Sequence, residues 1–175
     1  MKLHPILDLL SHGDKRMVLG VEETVALVLK DPSLFPILID GLTIDSELIA
    51  MRSADAIEKL TSDNPGWLQP YKNTLMELIK NAKQQEIRWH LCQIIPRLSL
   101  SLKERIALTE EFKVYLTDTS RIVVTFALQA MVDLANEDEK MRSEVVPIIK
   151  KMMKDGSPAI QSRGKKLLKQ LTDSV

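Results

Sequence analysis

Apolar residues recur along the chain with the spacing of one face of an α-helix. The pattern is clearest in four gap-free segments of twelve residues, which begin at Ile49, Ile87, Val123 and Ile160. Positions 1, 5, 8, 9 and 12 of each are mostly apolar or small, and this spacing places them on one side of a helix. Pro96, in the last turn and a half of the second segment, is expected to bend its helix. The predicted core residues are Ile49, Ser53, Ala56, Ile57, Leu60, Ile87, Leu91, Ile94, Ile95, Leu98, Val123, Ala127, Ala130, Met131, Leu134, Ile160, Gly164, Leu167, Leu168 and Leu171.

The four segments start 38, 36 and 37 residues apart, a period typical of a repeated structural unit. Each segment follows a second amphipathic stretch, so the unit is predicted to be an antiparallel helix pair. Asp31 and Ser157 each precede a proline suited to a first helical turn, and Ser101 has capping-box spacing to Glu104. We expect one repeat domain over residues 1–175, with approximate repeats 5–30, 31–62, 63–99, 100–136 and 137–172.

This organisation resembles the HEAT-repeat family of armadillo-like α-solenoids. The second helix of that family commonly carries the pattern V-R-x-x-A-x-x-A-L-x-x-L, and Ile87-Arg88 match its first two positions. Asp118 and Asp155 lie in the turns before the third and fourth segments, where the family often has an aspartate. The resemblance covers roughly residues 32–171, and a divergent first repeat is expected because terminal repeats cap the stack. It implies an all-α fold, a right-handed α–α superhelix of about four to five helix pairs.

Composition narrows the classes of protein that the chain can be. Lys+Arg and Asp+Glu number 24 each, so the whole chain has no net electrostatic attraction to nucleic acid or membrane. A single cysteine, Cys92, excludes an internal disulfide framework and a multi-thiolate zinc site. No window approaches the roughly 18 uninterrupted apolar residues of a membrane span. We expect a cytoplasmic protein without membrane contact.

Three reactive residue types, Trp89, His90 and Cys92, lie within four positions of one another. The helical register separates them, because Cys92 borders the predicted buried face while His90 lies on a different side. No metal-ligand motif, phosphate loop or nucleophile elbow occurs in the sequence, and no histidine begins the His-Glu dipeptide of HEAT-like di-iron hydroxylases. We therefore predict a non-enzymatic protein that takes no cofactor and no metal.

The family resemblance implies that the second helices line a concave surface, with positions 3, 4, 7 and 11 of each segment exposed. Trp89 and Phe126 are then large rings at positions that the core does not need, as in an interaction hot spot. The alternative is that Trp89 packs against a neighbouring repeat. The leading hypothesis is a protein–protein interaction module or adaptor scaffold that binds a protein or peptide segment. The predicted partner-binding residues are Arg52, Asp55, Trp89, His90, Gln93, Arg97, Phe126, Gln129, Asp133, Arg163 and Lys166.

Two further interpretations concern charged partners. Residues 140–175 hold nine Lys or Arg against three Asp or Glu, so this last repeat is either a docking site for an acidic partner or phosphate backbone, or a solvated outer face. The alternative function is a nucleic-acid-binding or DNA-repair protein that resembles the HEAT-like alkylpurine DNA glycosylases, which use aromatic residues, Asp and Arg on a strongly basic groove. Trp89 and Arg97 fit that composition. Gln93, Gln129 and the zero net charge do not, so nucleic acid is the less favoured partner.

Overall fold

Helices account for all regular structure in residues 3–136 and 138–173, the part of the chain described by the structure, a computed structural model. Residue 137, where the fifth predicted repeat begins, and two residues at each terminus lie outside it. The α-helices are α1 (Pro5–Leu9), α2 (Val21–Lys30), α3 (Phe35–Gly41), α4 (Glu47–Asp63), α5 (Lys72–Asn81), α6 (Gln85–Ile94), α7 (Leu102–Tyr115), α8 (Arg121–Ala135), α9 (Glu139–Asp155) and α10 (Pro158–Asp173). Short 3-10 segments occupy Pro32–Leu34, Pro65–Tyr71 and Ile95–Arg97.

The chain divides into two units, residues 1–98 and 99–175. Within the first unit, α4 packs against α2, α3 and α6, and within the second, α8 packs against α7, α9 and α10. These two central helices bury nine residues each, because each has neighbours on several sides. The single-domain organisation into five repeats stays a prediction.

Helix starts follow the capping signals in the sequence. The capping box between Ser101 and Glu104 is complete at the start of α7: the Ser101 Oγ accepts from the Glu104 backbone N–H, and the Glu104 carboxylate accepts from the Ser101 N–H. Asp31 caps the Pro32–Leu34 segment by accepting from the Ser33 N–H at 3.1 Å. Side-chain caps of this kind satisfy backbone donors that have no partner inside the helix.

The predicted core is confirmed almost completely. Every one of its twenty residues is buried except Leu168, which is half-buried. Cys92 is buried as predicted, with an exposed fraction of 2%. Gly164 shows why small residues recur on this face, because a Cβ there would overlap the Met153 side chain on α9. Helical periodicity alone therefore identified the buried face of the second helix in each of the four aligned repeats.

The predicted bend at Pro96 is wrong in detail. Helix α6 ends at Ile94, two residues before the proline, and the chain continues as the 3-10 turn Ile95–Arg97. Proline has no N–H to donate to an α-helical carbonyl, whereas the first turn of a 3-10 segment does not require that donor. The Leu98 N–H then closes the turn on the Ile95 carbonyl at 3.1 Å. The proline ends the helix and does not kink it.

Candidate interaction site

A pocket of about 220 Å³ lies in the first unit between α4, α6 and the loop before α2. Each of the two helices contributes three residues within one turn, at spacings that put them on one face. Most of the pocket surface is apolar. Each helix also contributes one carboxylate, Asp55 from α4 and Glu86 from α6. The lining residues are Val18, Met51, Arg52, Asp55, Glu86, Trp89 and His90.

Two rings of α6 form one wall of the pocket. The ring centroids of Trp89 and His90 are 5.6 Å apart, with an angle of 53° between the ring planes. Both side chains are half-buried, so Trp89 is neither a free surface residue nor part of the core. Val18 is 57% exposed and belongs to an exposed apolar run with Met17 and Leu19. A bound side chain would cover apolar surface on both α6 and the loop.

The prediction that Arg52 is exposed is wrong, since only 1% of its surface is accessible. Its guanidinium donates hydrogen bonds to the carbonyls of residues in the loop between α1 and α2. The acceptors are Leu10 O at 2.8 Å, His12 O at 2.5 Å, Asp14 O at 2.9 Å and Met17 O at 2.6 Å. Loop carbonyls have no helical partner, and arginine offers five donors in a fixed planar fork that can reach several of them. Arg52 therefore supports the pocket from beneath.

Other predicted partner-binding residues of the first unit contact α4 or their own helix. Arg97 donates to the Glu58 carbonyl at 2.5 Å and to the Thr61 Oγ1 at 3.0 Å, and it also contacts the Glu58 carboxylate. Gln93 donates weakly to the Trp89 carbonyl at 3.4 Å. Arg97 thus joins the end of the third repeat to α4, and fewer of its donors remain for a phosphate group.

Polar residues of α8 and α10 form a hydrogen-bonded network in the second unit. The Gln129 amide nitrogen donates to the Asp133 carboxylate at 2.7 Å, and its oxygen accepts from Arg163 at 2.7 Å. Gln170 donates to the same Asp133 oxygen at 3.0 Å. Lys166 is exposed and Phe126 is half-buried. The structure therefore brings Gln129, Asp133 and Arg163 together. Hydrogen bonds within the network occupy part of their capacity to bind a partner.

The pocket environment shifts the pKa of Arg52, Asp55 and His90, and burial is the largest cause for each. Burial lowers the pKa of His90 from its ordinary 6.5 to about 4; Glu58 acts against this shift, Lys59 adds to it, and Glu86 opposes it. The buried Nδ1 of His90 has no hydrogen-bond partner in the described structure. Burial raises the pKa of Asp55, while Lys59, 3.4 Å away, acts in the opposite direction. The His90 ring that lines the pocket is therefore uncharged at neutral pH.

The lowered pKa of His90 predicts a pH-dependent stability. Between about pH 6.5 and pH 4 the unfolded chain binds a proton at this histidine that the folded chain does not. Proton binding by the unfolded chain lowers the free energy of unfolding. The full stability is present above the unfolded pKa, and about 1–3 kcal/mol of it is lost as the pH falls toward the folded pKa. Urea unfolding across this range is expected to show a smaller loss for His90→Gln than for the parent chain. The exposed His12 provides the control, and an equal pH dependence for His90→Gln and His12→Gln would contradict the prediction.

The structure of residues 3–136 and 138–173 contains no group of three or more His, Cys, Asp or Glu side chains placed to hold a metal ion. No helix in the same residues is long and apolar enough to cross a membrane.

Sequence reasoning missed parts of this pocket. Val18 and Glu86 were absent from the predicted binding set, and Met51 was aligned with Trp89 at position 3 but not selected. The exposed run Met17, Val18 and Leu19 is a signal that hydropathy could have supplied, because apolar residues in a polar loop are unusual. Its place beside α6 depends on the fold of the loop and could not be read from the repeat.

Solved structures with a similar fold are repeat proteins. An engineered protein solved by structural genomics aligns with a TM-score of 0.64 and 14% identity over 97% of this chain and 78% of its own. A computationally designed armadillo repeat protein for modular peptide recognition aligns at 0.59 and 19% identity, covering 96% and 81% of the two chains. The chain has an armadillo-like repeat fold. A second designed armadillo repeat protein agrees, at 0.58 and 18% identity over 97% and 82%.

The armadillo-like fold confirms the predicted all-α repeat class and the resemblance on which it was based. No known family profile matches the chain, and no curated protein matches it. Identities below 20% mean that the helical repeat pattern, and not individual residues, is what the chain shares with these three proteins. The fold by itself does not identify a function, so a function must be argued from the residues of the site.

Proposed function

We propose that the chain is a non-enzymatic protein-interaction module that holds a short segment of a partner protein in the pocket of the first unit. The observation that carries the proposal is the half-buried indole of Trp89, which lines an open apolar pocket opposite the exposed Val18. Binding pockets are typically apolar with a few polar groups that fix orientation. Trp89 and Val18 provide the apolar contact, and Asp55 and Glu86 provide the polar groups.

The physical properties of the site support this proposal. Tryptophan is enriched among the residues that dominate the binding energy of an interface, and such residues lie where the surrounding contacts exclude water. The anchored loop reduces the ordering cost of binding, since Arg52 already fixes it by four hydrogen bonds. The designed relative described above recognises peptides, which agrees with a protein segment as the partner. In this proposal Trp89, His90 and Asp55 contact the partner, while Arg52 and Arg97 hold the walls. Gln93, Phe126, Gln129, Asp133, Arg163 and Lys166 remain candidate contacts, and we place the protein in the cytoplasm.

A displayed library of random peptides, selected against the full chain, tests the proposal. Selected peptides are expected to bind at least about tenfold more weakly to Trp89→Ala, because truncating a central aromatic contact typically costs more than 1 kcal/mol. Val18→Asp is expected to have a similar effect by placing a charge against the apolar ligand surface. Affinities can be measured by fluorescence anisotropy with the labelled peptides.

Leu29→Ala is the matched control, since Leu29 is 54% exposed in the same unit and does not line the pocket. It is expected to change the affinity by less than about twofold. Circular dichroism separates a loss of binding from a loss of folding. Val18→Asp serves the same purpose, because it changes an exposed loop residue and is expected to leave the fold intact. Selected peptides that bind Trp89→Ala and Val18→Asp as tightly as the parent chain would exclude this pocket as the site.

A further inference from the structure

The loop between α1 and α2 presents three consecutive apolar side chains to solvent. Met17 is 49% exposed, Val18 is 57% exposed and Leu19 is 39% exposed, whereas residues 11–16 before them are all polar or glycine. Val18 lines the first-unit pocket, and the other two do not. The apolar surface of the pocket therefore continues along the loop, beyond the pocket itself.

The backbone of this loop is held in place. The Arg52 guanidinium donates hydrogen bonds to the carbonyls of residues 10, 12, 14 and 17. Within the loop, the Arg16 N–H donates to the Asp14 carboxylate at 2.7 Å, and the Met17 N–H donates to the Asp14 carbonyl at 3.3 Å. Because these bonds fix the chain up to Met17, the apolar side chains that follow are presented to solvent by a structured backbone.

The three apolar residues do not have the same role. A Cβ added to Gly13 would lie 2.7 Å from Leu19 Cδ1, so the leucine side chain packs against this glycine and closes the loop on itself. About half of Met17 and more than half of Val18 stay in contact with water. The fold gains little from this exposed surface, and contiguous exposed apolar surface is typical of a site of interaction.

Charges beside the loop cancel one another. Lys15 forms an ion pair with Glu47 at the start of α4, and the neighbouring Asp14 and Arg16 have opposite signs. The loop therefore attracts neither an acidic nor a basic partner by its own charge. Apolar contact is what remains to select an occupant.

We propose that the first-unit pocket and the Met17 side chain form one apolar surface, which binds a partner segment that has two neighbouring apolar side chains. One of these side chains occupies the pocket against Trp89, and the other lies on Met17. The proposal rests on the proposed function, because the first contact is made in the same pocket. A protein segment fits better than a lipid surface, since a concave pocket accepts a single protruding side chain.

NMR of labelled methionine methyl groups tests the proposal on the full chain, with the library-selected peptides described above as the probe. Met51 lines the pocket, Met17 lies on the loop, and Met152 belongs to the second unit and is the control. Bound peptide is expected to shift the Met51 and Met17 signals with the same Kd and to leave Met152 unchanged. Replacing either of two neighbouring apolar residues of the peptide with asparagine should weaken binding at least about fivefold.

Met17→Ala separates a role in binding from a role in folding. The variant is expected to weaken peptide binding at least about threefold and to leave the urea midpoint unchanged, because the side chain is half exposed. The loss should be the same at about 50 mM and about 200 mM salt, since an apolar contact is not screened. Leu29→Ala is the matched control, because Leu29 is similarly exposed in the same unit and lies outside the pocket.

Different results overturn the proposal in different ways. Peptides that shift Met51 alone and are weakened by Trp89→Ala but not by Met17→Ala would confine the segment to the pocket and leave the proposed function intact. Peptides that depend on Met17 and not on Trp89 would contradict the proposed function as well. A Met17 signal that shifts with chain concentration, without peptide, would show that a second copy covers the loop. Vesicles of phosphatidylcholine and phosphatidylserine that shift Met17 and displace the peptide would assign the loop to a lipid surface.

Discussion

Replacing Arg52 with alanine is expected to lower the free energy of unfolding of the first unit by about 3–5 kcal/mol. The guanidinium is 1% exposed and satisfies four carbonyls of the loop between α1 and α2. Alanine would leave those carbonyls without their donors and a cavity beneath the loop, and both effects destabilise the folded chain. The loss should concentrate in the loop and in the contact between α2 and α4.

Tryptophan fluorescence in urea measures this loss in the correct unit. The chain has two tryptophans, Trp67 and Trp89, and both belong to the first unit. A lower denaturation midpoint with an unchanged slope indicates a true stability change. Hydrogen exchange adds a local measurement, because amides of residues 10–20 are expected to lose protection more than those of the second unit.

Two further variants serve as controls for Arg52→Ala. Arg16→Ala removes an arginine from the same loop, but its side chain is exposed, so a change within about 0.5 kcal/mol is expected. Arg52→Lys keeps the charge while losing the planar fork that reaches four acceptors, and an intermediate loss is expected. If Arg52→Ala and Arg16→Ala have equal midpoints, the loop does not depend on the buried guanidinium.

The fold was predictable because its information is local. A period near 37 residues and the i, i+4, i+7, i+8, i+11 spacing both follow from helix geometry, so the buried faces of four second helices could be assigned by counting. Capping at Ser101 was readable for the same reason. The end of α6 was not, because a proline in the last turns permits either a kinked helix or a short 3-10 turn.

The candidate site was only partly predictable because its contacts are long-range. Arg52 occupies the same repeat position as His90, Phe126 and Arg163, yet its acceptors are 35 to 42 residues away in the sequence. Nothing in the repeat pattern indicates that a loop from the first repeat covers this position. Trp89 was predicted at an exposed position, with packing against a neighbouring repeat as the alternative, and the structure leaves its side chain half-buried.

Gly20→Ala is expected to destabilise the first unit by about 2–4 kcal/mol. Gly20 caps α2 with φ of 77°, in the left-handed region that L side chains rarely adopt. A Cβ there would also overlap the carbonyl oxygen of Leu9, which is backbone and cannot rotate away. Both penalties fall on the loop that Arg52 holds, so the loop would shift and the wall that Val18 contributes to the pocket would move with it. The variant should therefore weaken binding of the selected peptides as well as lower the urea midpoint.

Two other glycines separate the causes of that loss. Gly13 shares the positive φ, at 80°, but the nearest neighbour of an added Cβ would be the end of the flexible and exposed Leu19 side chain. Gly13→Ala is expected to cost about 1–2 kcal/mol from backbone strain alone. Gly66 has neither constraint, since a Cβ added there would have no neighbour within 4 Å, so Gly66→Ala should be neutral or slightly stabilising. An order other than Gly20, Gly13, Gly66 in destabilisation would mean that the contact with Leu9 does not fix the start of α2.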